Sequence, residues 1–456
     1  MKNKELLKII IVITIVLLGL VLIVKRGTKY NKLIINEDKW NEIIESRKES
    51  LDHLIDKITF NEHKLILDDE SNTLYYSMID NKSSYNPKVF TRNKVSLATK
   101  EKIDDDGIKN NHLYELLVYD DTEYEIYNIK VTRMPIISIN YSNNKSKNIP
   151  IDFYLFDNYP NNTKRVITSK GYISKDEDNY SLSLTMESLG RNERENNESL
   201  LRMQNHSEYY LYHNDNYYIK NILANYIYNS ILNINKDSYQ LVELFINNEY
   251  LGLYTLGYKP EREYLNLDQD DFIYLKTSDT EYEFYNNEFK RIKNKDPNKD
   301  KILEEYNNIL KEDDVTKIKN NINLDNAINN YLFSLLTGSL NTDTYLVFNK
   351  NNDNYVVSYY PKTYKDLFNK DFSSNINNGN PIPKLIELKD NDTINKLKDH
   401  YQDLRNKSLN LDNIIKFIDE NYNSLLTNGN KVESINEFKE NITKRLNSLD
   451  DYINNL

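Results

Sequence analysis

The sequence predicts an α+β protein in which antiparallel sheet comes first and helices follow, and three observations carry that expectation. Short alternating segments recur between residues 63 and 156, a hairpin pattern fills 242–256, and the C-terminal part carries apolar residues at helical spacing. At 456 residues the chain is long enough for two or three packing units with a sizeable core.

The strand candidates are 63–67, 114–119, 124–131, 135–141 and 151–156, separated by polar turns as in an antiparallel sheet. In the hairpin, Val242, Leu244 and Ile246 alternate with Glu243 and Phe245 until Asn247-Asn248, a residue pair that tolerates positive φ. Leu251, Leu253 and Thr255 then resume the alternation. Ahead of the strands, Trp40, Ile43, Ile44, Leu51, Leu54, Ile55 and Ile58 have helical spacing that suits a juxtamembrane helix over 37–58. Residues 281–314 read as a charged, exposed helix and loop. The stripe Leu324, Ala327, Ile328, Tyr331, Leu332, Leu335, Leu336 marks a core helix, with Gly338 placed as its C-cap. A closing amphipathic helix follows from Ile435, Phe438, Ile442, Leu446, Leu449 and Ile453.

Residues 6–24 contain a single charge, Lys8, and as a helix would extend about 28 Å, enough for a bilayer core. The run is longer than a signal-peptide core and no small-residue cleavage site follows, so it reads as an uncleaved anchor. Lysines and arginine flank it on both sides, which leaves orientation to the expectation that the large C-terminal part is extracytoplasmic.

A net charge of -11, from 59 basic and 70 acidic residues without clustering, argues against nucleic acid as a partner. Cysteine is absent, which removes disulfides, thiolate catalysis and Cys-ligated metal. The six histidines form no HxH or HxxxH pair. With 38 tyrosines present, the clusters at 209–218 and 355–364 read first as chance, and otherwise as a platform for sugar faces. The acid pairs at 104–106, 270–271 and 313–314 lack calcium-loop spacing and read as solvated turns.

From about residue 151 onward the chain resembles the CotH family, the spore-coat kinase-like proteins. The segment VELFINNEYLGLYTL is similar to the family's VELYINGEYxGxYxLxE; Gly171-Tyr172-Ile173-Ser174 resembles its RGxSS turn, and Tyr180 to Leu184 its KKSYRIKL strand. Residues 199–203 resemble an SLLGMR segment, and 213–231 the Asp plus RNxLAxxLW helix, with Lys220 in place of Arg. Asn341-Thr342-Asp343, Tyr359-Tyr360-Pro361 and the closing helix follow in the family's order.

The resemblance implies an atypical protein-kinase-like two-lobed fold, a sheet lobe plus a helical lobe, preceded by the transmembrane helix. The domains expected are an anchor over 1–26, a juxtamembrane helix or linker over 27–60, a β-rich region over 61–150 and the CotH-like domain over 151–456. It implies ATP and Mg²⁺ as cofactors if the protein is active. Phosphoryl transfer depends on cations at the phosphates and on carboxylates that hold those cations.

Asp343 is the expected base or metal ligand, or else a loop aspartate in a local turn. Asp366 is the metal-ligand candidate; Arg202, Lys220 and Asp215 are the cofactor-binding candidates. Asp215 reads first as a helix N-cap, and the two basic residues first as surface ion-pair partners. Other expected groups are substituted. Ser183 takes the position of the family's lysine, Tyr258 that of its glutamate, and Thr363 and Lys365 the acidic positions after Pro361. Mg²⁺ binds weakly without carboxylates. The expectation is therefore an envelope-anchored protein with a decayed nucleotide site that acts as a binding or assembly factor for envelope or spore-coat proteins. The alternatives are an active atypical kinase and an envelope carbohydrate-binding protein.

Overall fold

A computed structural model describes residues 28–60, 63–78, 88–91, 94–102, 112–142, 148–157, 166–176, 179–185, 199–201, 203, 205–213, 218–233, 239–258, 271–276, 282–284, 299–338, 343–351, 354–361, 367–368, 372–374, 379–427 and 435–456. The chain forms two compact units. The first takes residues up to 138 with 155–166 and 245–251; the second takes 139–154, 167–244 and 252–456.

The first unit is built on two sheets. Strands β1 (Thr28–Lys29), β3 (Ile58–Phe60), β4 (His63–Lys64) and β7 (Lys88–Thr91) pair in the order β1-β7-β3-β4. Strands β5 (Ile66–Asp68), β6 (Thr73–Ser77), β8 (Ser96–Ala98), β9 (Leu113–Tyr119) and β10 (Glu123–Thr132) pair as β5-β6-β10-β9-β8, with β2 (Lys48–Glu49) also on β10. Alternation in β9 and β10 sends Tyr114, Leu116, Val118, Tyr127 and Ile129 into one core with Phe60, Leu74 and Tyr76. Helix α1 (Glu37–Glu45) covers the other face, where Trp40 and Ile43 pack on Ala98 and Leu117. Asn36 caps it by accepting from the Lys39 amide at 3.0 Å. The helix expected to run to residue 58 stops at Glu45, because the next residues pair with β10: the Lys48 amide donates to Thr122 O at 3.0 Å and the Ser50 amide to Tyr124 O at 2.8 Å.

Strands β11 (Ile136–Asn140), β12 (Ile149–Phe156), β13 (Val166–Asp176), β14 (Asn179–Thr185), β15 (Glu208–His213), β16 (Tyr239–Ile246) and β17 (Glu249–Tyr258) close into a barrel in the order β11-β12-β13-β14-β15-β17-β16. The β16–β17 turn is the expected one, with Asn247 at φ 50° and Asn248 at φ 62°. Within the second unit a separate sheet, ordered β19-β18-β20-β21, joins β18 (Phe272–Lys276), β19 (Tyr282–Phe284), β20 (Thr344–Asn351) and β21 (Asn354–Pro361).

The helices of the second unit are α2 (Lys220–Ile231), α3 (Lys299–Ile309), α4 (Val315–Asn320), α5 (Leu324–Thr337), α6 (Ile382–Glu387), α7 (Asn391–Asn406), α8 (Leu411–Thr427) and α9 (Ile435–Asn455). Helix α5 is the central one: Ala327, Ile328, Tyr331, Leu332, Leu335 and Leu336 are all buried, and α2, β21, α7 and α9 pack on it. It ends as its sequence requires, with Gly338 at φ 74° and its amide on Ser334 O at 2.9 Å. Arg445 of α9 lies against that glycine and donates to Leu335 O at 3.3 Å, satisfying a terminal carbonyl.

The expected fold class is corrected on two points. The chain does not form a two-lobed, kinase-like pair of one sheet lobe and one helical lobe. Among the described residues the strands make two open sheets, a closed barrel and a further four-stranded sheet. Closure gives the outer strands of the barrel partners and so removes their free edges, a result that motif order along the chain does not encode. The run 6–24 lies outside the described residues, and among the described residues no helix is long and apolar enough to cross a membrane. The transmembrane helix expected over that run thus has no counterpart among the described residues.

Candidate functional site

Two positions in the second unit bear on chemistry, one in the barrel and one at the end of the four-stranded sheet. In the barrel, β14 pairs antiparallel with β13 and β15, which sets Ser183 opposite Tyr172 on one side and Glu208 on the other. The Ser183 hydroxyl donates to Glu208 Oε2 at 2.6 Å. Gly171 makes this close pairing possible, because a Cβ there would stand 2.2 Å from Ser183 O. Tyr258, at the position of the family's glutamate, pairs with Tyr209 and meets the His206 ring edge-on at 4.9 Å.

The second position is the last rung of the sheet, where Lys276, Thr344 and Pro361 lie side by side across β18, β20 and β21. Directly opposed residues in an antiparallel pair project to the same face, so Lys276 and Thr344 share one. Both are buried, at 4% and 0% exposure. Asp343 precedes Thr344 in the chain and is half-buried. The Lys276 stem lies along the backbone of Gly379, where a Cβ would come within 2.9 Å of Cδ; Gly379 itself sits at φ 77°.

That backbone is fixed by its neighbour: Asn380 Nδ2 donates to Ala327 O at 2.8 Å and to Asn330 Oδ1 at 3.1 Å, and Asn380 Oδ1 accepts from the Ile382 amide at 3.0 Å. Desolvation pulls the Lys276 ammonium below the ordinary lysine range. On β18 itself, burial and a hydrogen bond to Asp300 hold the Tyr274 phenol well above its ordinary value.

Of the expected site residues, Asp343 is half-buried and directly precedes β20. Asp366 follows β21 and lies outside the described residues, as do Arg202 and Asp215. Lys220 is the first residue of α2, half-buried, and the N-cap there is Ile219 without a side-chain cap. Lys276 was not singled out from sequence. Its one signal is a lysine closing the apolar run Phe272-Ile273-Tyr274-Leu275, a pattern that ordinarily marks a strand end reaching solvent.

Of the tyrosines in the two clusters, Tyr209, Tyr210, Tyr212 and Tyr359 are buried, while Tyr218, Tyr355 and Tyr360 are half-buried. Asp271 is not a solvated turn residue: it is buried and accepts from Asn349 Nδ2 at 2.9 Å and the Lys350 amide at 2.8 Å. Asp314 caps α4 through the Lys317 amide at 3.0 Å.

A further polar cluster belongs to the first unit. Buried Glu125 accepts from the Leu54 amide at 2.9 Å and from the Tyr127 hydroxyl, and stands 2.8 Å from His53 Nδ1, whose other nitrogen is 3.5 Å from Asp69. These bonds fix the 50–54 segment to β10. Among the described residues no three acidic or histidine side chains are grouped to hold a metal ion. No family model matches the chain, and no curated protein matches it.

Proposed function

We propose that this protein is a CotH-related factor of the cell or spore envelope that binds and assembles other envelope proteins and does not transfer phosphate from ATP. The observation that carries this reading is the Ser183–Glu208 hydrogen bond. At the position where the family resemblance calls for a phosphate-neutralising lysine, the barrel holds a neutral hydroxyl bound to a carboxylate. An incoming triphosphate would meet acidic character there. A fixed positive charge is what phosphoryl transfer needs at such a point.

The test is calorimetric titration of the purified full chain with ATP in the presence of Mg²⁺. The expected result is affinity weaker than about 1 mM, equivalent to roughly 4 kcal/mol of binding. Micromolar, Mg²⁺-dependent binding overturns the reading. In a pull-down from envelope extract, an assembly factor is expected to retain its partners equally with and without ATP.

A further inference from the structure

The sheet β1-β7-β3-β4 of the first unit turns one face to the core. Directly opposed residues share a face, and Phe60 stands opposite Val89 and His63, with Val89 opposite Thr28; Phe60 and Val89 are buried there with Ile58. The alternate residues take the other face. Lys64 stands opposite Thr59, Thr59 opposite Phe90, and Lys88, two residues from Phe90, opposite Lys29. Lys57 leads into β3 two residues before Thr59, and its charge reaches Lys64: loss of water around the Lys64 amine, and then the Lys57 charge, lower the Lys64 pKa.

Lys29, Lys64 and Lys88 are exposed and Lys57 is half-buried. The four strands contain no aspartate or glutamate, in a chain whose net charge is -11. Lysine on an edge strand ordinarily blocks pairing with another chain. That accounts for Lys29 on β1 and Lys64 on β4, the two edges, and leaves Lys88 on interior β7 and Lys57 at the start of interior β3. The four are far apart in the sequence and meet only through strand pairing, across three inter-strand spacings or about 14 Å. Strand β1 begins four residues after the apolar run 6–24, a reach of at most about 14 Å of chain, and Lys25 and Arg26 lie in that connection. Apolar surface favours lipid over water, and basic residues beside such a run are drawn to anionic headgroups.

We infer that the face bearing Lys29, Lys57, Lys64 and Lys88 docks on an anionic lipid surface, with headgroup phosphates accepting from the ammonium groups. The contact is a flat electrostatic one that needs no pocket, and it fades as salt shortens the screening length. It goes beyond the proposed function and does not rest on it: the ATP titration contains no lipid and the test of docking no nucleotide, so each can fail alone.

The full chain is mixed with vesicles of phosphatidylcholine, or of phosphatidylcholine with phosphatidylglycerol, and its amines are acetylated and quantified by mass spectrometry. Lys29, Lys57 and Lys64 are expected to react at least about threefold more slowly with the anionic vesicles than with the neutral ones. Lys416 on α8, exposed in the second unit, keeps its rate. In about 1 M salt, where the screening length is about 3 Å, the protection disappears. In co-flotation, the chain carrying Lys29→Gln, Lys57→Gln, Lys64→Gln and Lys88→Gln together is expected to lose at least about tenfold of the preference for anionic over neutral vesicles, with an unchanged urea midpoint as the check on folding. Equal labelling with the two kinds of vesicle overturns the inference, as does protection that extends to Lys416, or a folded variant with undiminished preference. Protection by soluble polyglutamate with none from anionic vesicles also overturns it, and assigns the face to an acidic protein.

Discussion

Ser183 in the barrel and Lys276 at the end of β18 are both strand residues of the second unit, and they are built in opposite ways. Ser183 is half-buried, sits between Tyr172 and Glu208, and engages a carboxylate through a short neutral donor. Lys276 is nearly excluded from water, stands opposite Thr344 and has its stem pressed against a glycine backbone. The barrel position thus bears a neutral hydroxyl, while the sheet end buries a lysine side chain. A buried cation costs several kcal/mol of desolvation, so a position that retains one carries a constraint that a half-exposed serine does not.

The strongest way to break the comparison is to remove the barrel position altogether. Gly171→Ala places a Cβ 2.2 Å from Ser183 O, against backbone that cannot turn aside. It is expected to cost about 3 kcal/mol or more, the upper range for overpacking. A urea titration of the variant reports this as a lower midpoint. An unchanged midpoint would mean that β13 and β14 do not pair as closely as described.

Gly379→Ala acts on the other position. A side chain at φ 77° is strained, and its Cβ would press on Lys276 Cδ, which is flexible and yields in part. The expected loss is about 1–2 kcal/mol, read as a lower urea midpoint. An unchanged midpoint would mean that the Lys276 stem does not lie against Gly379.

Where sequence reasoning reached, local chemistry was sufficient. The Asn247-Asn248 turn, the Gly338 cap and the 435–453 stripe each depend on residues within a few positions of one another, and each folds as its pattern indicates. The barrel does not depend on such a pattern. Its closure rests on hydrogen bonds between β11 and β16, strands far apart in the chain, and no short window records them. Lys276 and Thr344 meet through the β18–β20 register, a pairing that no short stretch of sequence records. The same limit explains α1: helical spacing over 37–58 was real for Trp40 and Ile43, while Ile58 reaches the core from strand β3.

A smaller effect sharpens the barrel half of the comparison. Ser183→Lys puts an ammonium beside Glu208, restoring the charge that the family resemblance places there. ATP affinity is expected to rise by about tenfold, near 1.4 kcal/mol, as one charge-assisted contact allows. If calorimetry shows no gain, the Ser183 face does not look onto a nucleotide path, and the substitution of lysine by serine says nothing about lost activity.

The smallest effect is a difference in pH dependence, and its direction is fixed by linkage. Burial lowers the Lys276 pKa in the folded chain, so between that depressed value and the unfolded value of about 10.4 the unfolded chain binds more protons. Stability from this group therefore rises as pH climbs through the window, and below the window the folded chain bears the whole desolvation penalty. Tyr274 on the same strand and Tyr360 on β21 work in the opposite sense: their phenol pKa values are raised by burial, and the stability they contribute is lost as pH rises past the unfolded tyrosine range. The wild-type curve alone mixes the two signs. Subtracting the Lys276→Met curve leaves the lysine, and the wild type should gain on the variant as pH increases from neutral toward 10. A difference that stays flat, or that moves the other way, would mean the amine is solvated or already matched by a negative charge, and the contrast with Ser183 would then lose its physical basis.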